Sequence, residues 1–108
     1  MDGSQLLKGV LDLAVLSVLD PEDGYGYQIV TELRAAGHEQ VGEASVYGTL
    51  RRLHKDDLVD SYAMPSDSGP ARKYYTLTDA GRRRLADDAK TWTQFVETMN
   101  YLLHEEQE

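Results

Sequence analysis

The sequence predicts a mainly α-helical fold with a single β-hairpin, in which three helices, the hairpin and a long last helix follow one another. Three observations predict it. Apolar residues recur every three or four positions in several segments, two strand-like segments flank a cluster of turn residues, and a heptad-like apolar series runs through the last quarter of the chain. We divide the chain into a domain of residues 1–78 and a C-terminal helix of residues 79–108.

The composition suits one small globular domain, or such a domain with an appendage. The chain has 108 residues, no cysteine and a formal net charge of -8. The lack of cysteine excludes disulfides, thiolate metal sites and cysteine nucleophiles. No apolar run approaches the ~20 residues of a membrane helix, and the N-terminal segment lacks the basic region of a signal peptide. We therefore expect a cytoplasmic protein that makes no contact with a membrane.

No pattern in the sequence indicates catalysis, a cofactor or a metal. His38, His54 and His104 lack the i, i+4 spacing of helical metal ligands. Adjacent acids such as Asp56 and Asp57 face apart on a helix and make a poor general acid–base pair. Nucleophile motifs and phosphate-binding glycine loops are also lacking. We therefore expect neither an enzyme nor a bound cofactor or metal.

The first two helices are predicted over residues 5–19 and 25–36. Apolar residues cover nearly the whole circumference of the first one, so it is expected to be buried on several sides. In a chain this small, one of those sides can face a second subunit. Pro21 and Gly24 separate the two helices, and Gly37 stands where a helix C-terminal glycine belongs.

The third helix is predicted over residues 43–55. Val46, Leu50 and Leu53 form its inner apolar stripe. Its other faces are predicted to carry polar, aromatic and cationic side chains, namely Ser45, Tyr47, Thr49, Arg51, Arg52 and Lys55.

A hairpin and a long helix complete the chain. Residues 58–64 and 71–77 are predicted strands, joined by a six-residue tip at residues 65–70. Thr78 is a good N-cap for a helix from about Asp79 to about His104, after which the tail is expected to fray. The apolar residues of this helix alternate spacings of four and three, which is typical of helices that pack along one another: Leu85, Ala89, Trp92, Val96, Met99 and Leu103, with Phe95 and Leu102 beside them.

The charges are segregated along the chain. Residues 41–90 hold nine of the 11 Lys and Arg residues and eight of the 19 acids, which leaves +1, whereas the remaining two cations and eleven acids leave -9. A net negative charge argues against non-specific binding to nucleic acid. The cations nevertheless concentrate in the third helix and in the second strand, where Arg72 and Lys73 follow the hairpin tip.

This order of elements is that of a winged helix-turn-helix fold followed by one further helix. Such a fold presents its third helix to base edges and its hairpin, or wing, to the phosphate backbone or the minor groove. We therefore predict that this chain binds double-stranded DNA through Ser45, Tyr47, Thr49, Arg51, Arg52, Lys55, Arg72 and Lys73. One of the two adjacent arginines of the third helix can instead pair with an acid inside the domain.

Three segments, "GYGYQIVTEL", "SVYGTLRRLHKDDLV" and "GPARKYYTLTDAG", resemble the PadR family of transcriptional regulators. The resemblance runs from about Leu6 to Arg84, and the single short C-terminal helix resembles the small subfamily. It implies a homodimeric winged-helix repressor. By position, Tyr47, Arg51 and Arg52 match the family's recognition-helix motif, and Arg72 and Lys73 match its wing motif.

Two residues depart from the family's usual "RRLEKDGL" pattern. His54 replaces the glutamate and Asp57 replaces the glycine. That glycine normally adopts a left-handed conformation, which aspartate tolerates better than most residues but at a cost on the order of 1 kcal/mol. The departure concerns the stability of the turn between the third helix and the wing.

The apolar series of the last helix predicts a homodimer, because no segment of similar length except the first helix could cover it within one chain. The predicted interface residues are Leu6, Val10, Leu85, Ala89, Trp92, Phe95, Val96, Met99 and Leu103. Trp92 and Phe95 have two interpretations, as plain dimer core or as a surface for a flat aromatic ligand. The first is the leading interpretation, and the resemblance adds weight to the second, because members of the family often respond to phenolic and other aromatic small molecules.

A dimeric regulator should read a palindromic operator with half-sites about one helical turn apart. The rival hypothesis is a winged-helix module for protein–protein assembly without a DNA role, and the acidic flanks leave it open. A protein-binding wing, however, would not need cations on both the third helix and the hairpin.

Overall fold

In the computed structural model of the protein, which describes residues 1–104, the chain forms four helices and a three-stranded antiparallel sheet. The predicted fold class, mainly α-helical with a winged hairpin and a long last helix, is confirmed. The part of the predicted C-terminal helix beyond His104, with its expected fraying, lies outside the described residues. The elements are α1 Gly3–Leu19, β1 Gly24–Tyr25, α2 Gly26–Ala35, α3 Glu43–Lys55, β2 Val59–Ser66, β3 Gly69–Leu77 and α4 Asp79–His104.

Helix α1 begins two residues earlier than the apolar pattern predicts. Asp2 is its N-cap, and the Asp2 carboxylate accepts a hydrogen bond of 3.1 Å from the backbone N–H of Gln5. The Ser4 hydroxyl donates to the same carboxylate at 2.7 Å, and this bond, followed by that from Gln5, lowers the pKa of Asp2. The helix is interrupted at Val10, whose φ of -130° and ψ of 16° are not helical. Its C-terminal part supplies the centre of the core through Val15, Leu16 and Leu19.

Helices α2 and α3 are joined by a turn that Gly37 makes possible. Gly37 has a φ of 127°, which side-chain-bearing residues rarely adopt. Its N–H donates to the Arg34 carbonyl at 3.1 Å and the N–H of His38 donates to the Leu33 carbonyl at 3.0 Å, the pattern of a Schellman cap. The predicted helix C-terminal glycine is confirmed. Arg34 then fixes the turn, because its guanidinium donates two hydrogen bonds to the Val41 carbonyl.

The wing is longer and tighter than predicted. Strands β2 and β3 pair from Val59 with Leu77 to Ser66 with Gly69, so only Asp67 and Ser68 form the tip. The prediction of a six-residue tip is wrong, because the two prolines of this segment stay within the strands. Pro65 lies in β2, an edge strand in the order β1-β3-β2, at the irregularity between Met64 and Ser66.

A third strand, β1, was not predicted. It has only two residues, and Gly24 and Tyr25 pair with Tyr75 and Tyr74 of β3. The short strand begins the chain segment that leads into α2. It therefore ties the root of the wing to the start of the helix-turn-helix unit.

The first turns of α4 close the domain. Thr78 is the N-cap, and its hydroxyl accepts from the Gly81 N–H at 3.0 Å and donates to the Asp57 carbonyl at 2.7 Å. Gly81 lies against the backbone of the turn between α3 and β2, where an added Cβ would overlap the Leu58 carbonyl oxygen. Further along, Leu85 packs against the core. The long helix is thus anchored to the turn between α3 and the wing.

Candidate nucleic-acid interface

The inner face of α3 holds the helix in the core. Val46, Leu50 and Leu53 are buried, as predicted, and Thr49 is buried with them at 4% exposure. The prediction that places Thr49 on an outer face is wrong. A step of three residues from Val46 and of four residues to Leu53 puts it on the inner stripe.

The outer face of α3 points away from the core. It consists of Ala44, Gly48, Arg51 and Lys55, which recur at spacings of four, three and four and so share one side of the helix. Ala44, Arg51 and Lys55 are exposed, and Ser45 is exposed on one flank. This face carries two cations, and its first two turns contain only the small residues Ala44 and Gly48. The arrangement suits contact with an anionic surface.

Tyr47 lies on the other flank of α3, and its side chain is partly buried against other residues of the protein. Its ring packs against the start of α2, where a Cβ on Gly26 would overlap it. Burial, followed by the charge of Glu43, raises the pKa of the Tyr47 hydroxyl. Only part of the side chain remains accessible. The predicted DNA contact of Tyr47 is therefore limited to the part of its side chain that this packing leaves accessible.

Arg51 and Arg52 have different surroundings. The Arg52 guanidinium forms an ion pair and a hydrogen bond with the Asp12 carboxylate of α1. Asp12 is also 3.8 Å from the Arg84 guanidinium of α4, and Arg84 in turn donates to Asp88 at 2.6 Å. Arg52 thus belongs to a chain of charges that joins α3, α1 and α4. The expectation that one of the two arginines pairs inside the domain holds for Arg52.

The two cations of the wing lie on opposite faces of β3, because successive residues of a strand alternate. The Arg72 guanidinium lies 4.6 Å from the centre of the Tyr25 ring, within reach of a cation–π interaction. The Lys73 ammonium lies 5.7 Å from the centre of the Tyr75 ring, on the core side. Both side chains remain exposed. Aromatic rings at the root of the wing therefore hold both cations in place.

A cluster of three tyrosines supports Arg72, and the sequence did not reveal it. The Tyr62 and Tyr74 rings stack with centres 5.8 Å apart, and Tyr25 meets Tyr74 edge-on at 5.3 Å. The Tyr62 hydroxyl donates to Asp23 at 2.5 Å. This bond lowers the pKa of Asp23 and raises the pKa of Tyr62. The signal that could have found the cluster is cross-strand pairing, which places Tyr62 opposite Tyr74 once the register is known.

The second half of α4 carries most of the predicted dimer residues and leaves them uncovered. Trp92 is 44% exposed, Phe95 57% and Leu103 63%, and Met99 and Leu102 are exposed as well. The Trp92 and Phe95 rings stack with centres 6.3 Å apart. Val96 is half-buried and Ala89 exposed. Leu6 on α1 is also exposed, whereas Val10 and Leu85 pack against the core.

Among residues 1–104, no helix combines the length and the apolar character needed to cross a membrane. Within the same range, no group of three or more His, Asp or Glu side chains is arranged to hold a metal ion.

Comparison with known proteins gives consistent matches. The sequence model of the transcriptional regulator PadR-like family matches residues 15–87. An uncharacterised protein of Lysinibacillus sphaericus is 30% identical over 102 residues, which are 93% of this chain and 94% of that protein.

Solved structures match in fold along nearly the whole chain. A PadR-like transcriptional regulator of Bacillus cereus is 38% identical with a TM-score of 0.83, over 92% of this chain and 96% of that one. A PadR family transcription regulator of Clostridium difficile is 33% identical with a TM-score of 0.79, over 87% and 98%. PadR of Bacillus subtilis, solved in complex with operator DNA, is 25% identical with a TM-score of 0.66, over 72% of this chain and 45% of that one.

Proposed function

The chain belongs to the PadR-like family of transcriptional regulators, and from this premise we propose that it is a homodimeric repressor that binds a palindromic operator in double-stranded DNA. Members of this family are transcriptional regulators and not enzymes. The observation that carries the proposal is the division of α3 into a fully buried inner face and an outer face that presents Arg51 and Lys55. A helix with this division can enter the major groove while its inner face stays in the core.

The wing supplies the second set of contacts. Arg72 and Lys73 are exposed cations on the strand that follows the tip, and each lies against a tyrosine ring. Cations at this position neutralise phosphates and fix the register of α3 on the duplex without reading sequence themselves. That Bacillus subtilis PadR was solved on its operator supports DNA as the ligand of this fold. The DNA-contacting set that we propose is Ser45, Tyr47, Arg51, Lys55, Arg72 and Lys73.

The exposed side of α4 supports the dimer. Its large apolar side chains form a continuous series over three turns, with Leu6 of α1 as a further exposed apolar residue. An isolated chain would expose them to water, and contiguous apolar surface of this kind marks interfaces. A second copy that covers the series places two α3 helices about a two-fold axis. Two-fold symmetry in the protein then requires a palindromic operator.

The proposed effector is a flat aromatic molecule that binds at the dimer interface and releases the DNA. Trp92 and Phe95 lie at the N-terminal end of the exposed series and already stack on one another. An aromatic ring added to this stack gains roughly 0.5–1.5 kcal/mol beyond area burial. Such a ligand releases DNA only if it favours the spacing of α3 helices found in the unbound dimer.

DNA binding is tested by selection from a pool of random duplexes, followed by titration of the selected duplex at several salt concentrations. We expect one palindromic sequence to be enriched. Lys55→Ala should weaken binding and lower the salt slope by about one unit. Arg83→Ala, which removes an exposed cation from α4, is the charge-matched control and should leave the slope unchanged. A pool from which the wild-type protein enriches no sequence contradicts the proposal.

Repression and release are tested with the selected operator placed between a promoter and a reporter gene. Expression of the protein should lower the reporter signal, and a rise would mean activation instead. Release is measured as the change in Trp92 fluorescence and in DNA binding during titration with planar aromatic compounds. If these compounds release DNA equally well from Trp92→Ala, the effector does not bind at Trp92.

A further inference from the structure

Gly48 lies in the interior of helix α3, and the packing of the fold does not require a glycine at this position. Glycine is the least favourable helix residue after proline, so a glycine in a helix interior needs a physical reason. At Gly26 and Gly81 the reason is internal, because an added Cβ would overlap the Tyr47 ring and the Leu58 carbonyl oxygen, respectively. A Cβ on Gly48 would meet only the Arg51 guanidinium, at the ordinary contact distance of 3.7 Å. The rest of residues 1–104 therefore leaves room for a Cβ at this position.

The position of Gly48 on α3 points outside the molecule. It lies on the outer face, three residues before Arg51 and seven before Lys55, opposite the buried stripe that includes Leu50. Two of the cations that the proposed function assigns to DNA therefore share a face with the one residue of α3 that has no side chain. A ligand held by Arg51 and Lys55 would approach the helix at Gly48.

We infer that Gly48 determines operator specificity by letting the base-pair edges of the major groove approach the α3 backbone. This inference rests on the proposed DNA-binding function. An α-helix with its side chains is about 10–12 Å across and the major groove is about 12 Å wide, so one side chain on the leading face decides how deep the helix can enter. Without a side chain at position 48, Arg51 and Ser45 reach base edges that they would otherwise miss.

A structural role and a DNA-facing role make opposite predictions for Gly48→Ala. Alanine is the better helix former and has room, so the thermal midpoint should rise, by about 4 °C. The same methyl group should hold the helix away from the bases and weaken binding to the selected operator roughly tenfold, within the range of losing one base contact. Gly48→Leu should weaken it further, roughly a hundredfold. Binding to unrelated DNA and the salt slope should stay unchanged, because no phosphate contact is lost.

The control is Gly9→Ala in α1, where an added Cβ also has open space. It should raise the thermal midpoint without any change in operator affinity. If Gly48→Ala and Gly48→Leu are folded and bind the selected operator within twofold of wild type, the inference is wrong while DNA binding by α3 stands. If both variants lose affinity together with a lower thermal midpoint, Gly48 is structural and the inference is also wrong. A wild-type protein that selects no operator overturns the proposed function and this inference with it.

Discussion

The two halves of α4 differ in what their side chains touch. In residues 79–88, Gly81 lies against the Leu58 carbonyl, Arg84 reaches Asp12, and Leu85 packs on the core. In residues 89–104, the large apolar side chains are exposed. One continuous helix thus has a first half that packs on the winged-helix unit and a second half whose large apolar side chains are left uncovered by residues 1–104. A rigid connection between the two is what a dimer needs to fix the distance between its α3 helices.

The largest effect is expected from a charge on the exposed half. Phe95→Glu would bury a carboxylate in the proposed interface, which costs several kcal/mol, so the dimer should dissociate. Operator affinity should fall by more than about a hundredfold with it, because the two half-sites are then bound separately. The measurements are the molar mass by light scattering and DNA binding by gel shift.

Gln94→Glu is the matched control for this substitution. It adds the same charge one residue away, on the opposite side of α4 from the apolar series. It should leave the dimer intact. A Phe95→Glu protein that is still dimeric would mean that the exposed half is not the interface.

A substitution in the anchored half should act on folding. Gly81→Ala forces a methyl group into the Leu58 carbonyl, and overpacking of this kind costs about 3 kcal/mol. We expect a lower midpoint in urea with little change in the slope of the transition. Gly3→Ala, at a position with open space, is the control. Equal stabilities of Gly81→Ala and wild type would show that α4 is not held closely at its start.

Helix α3 offers a second comparison, between Arg51 and Arg52, because Arg52 pairs with Asp12 within the chain. Arg51→Ala should weaken operator binding by about 1–3 kcal/mol if it reads a base, whereas Arg52→Ala should lose less, since Arg52 is paired with Asp12. The exposed pair itself is worth under about 1 kcal/mol to stability. A double-mutant cycle with Asp12→Ala in the binding assay separates the roles. Additive losses from Arg52→Ala and Asp12→Ala would place Arg52 on the DNA instead of in the ion pair.

The smallest expected effect lies at the joint between α3, the wing and α4. Asp57 has a φ of 59°, the left-handed region, and its N–H closes the cap of α3 by donating to the His54 carbonyl at 3.1 Å. Asp57→Gly should raise the free energy of unfolding by up to about 1 kcal/mol. Thr78 bonds to the backbone carbonyl of this residue, so the substitution keeps that contact. An unchanged or lower stability in chemical denaturation would show that the aspartate is not strained there.

Several features followed from the sequence because they depend on neighbours close along the chain. Helical periodicity predicted the apolar stripe of Val46, Leu50 and Leu53 on α3. Cap residues predicted the turn at Gly37 and the start of α4 at Thr78. The left-handed turn at Asp57 followed from the family resemblance, since the chain has an aspartate where a glycine is usual. These features are local, since the hydrogen bonds concerned join residues three to five apart.

Other features of the site could not be read from the sequence. Thr49 was predicted to face outward because it is polar, yet the inner stripe of α3 is wide enough to include it. The pairing of Tyr62 with Tyr74 needed the register of the hairpin, and the two-residue strand β1 was too short to leave a pattern. Which of the two arginines pairs with Asp12 depends on the angle between α1 and α3, and the sequence pattern does not predict that angle.

The sequence by itself determined the order of the four helices and the two wing strands and the concentration of cations in α3 and the wing, because periodicity, capping and composition act over a few residues. Only the tertiary structure decided which cation is free, which half of α4 is covered and which glycines the fold requires. Those outcomes depend on contacts such as Arg52 with Asp12, 40 residues apart, and Gly81 with Leu58. Such contacts arise from the packing of whole helices against one another, which no short stretch of sequence specifies.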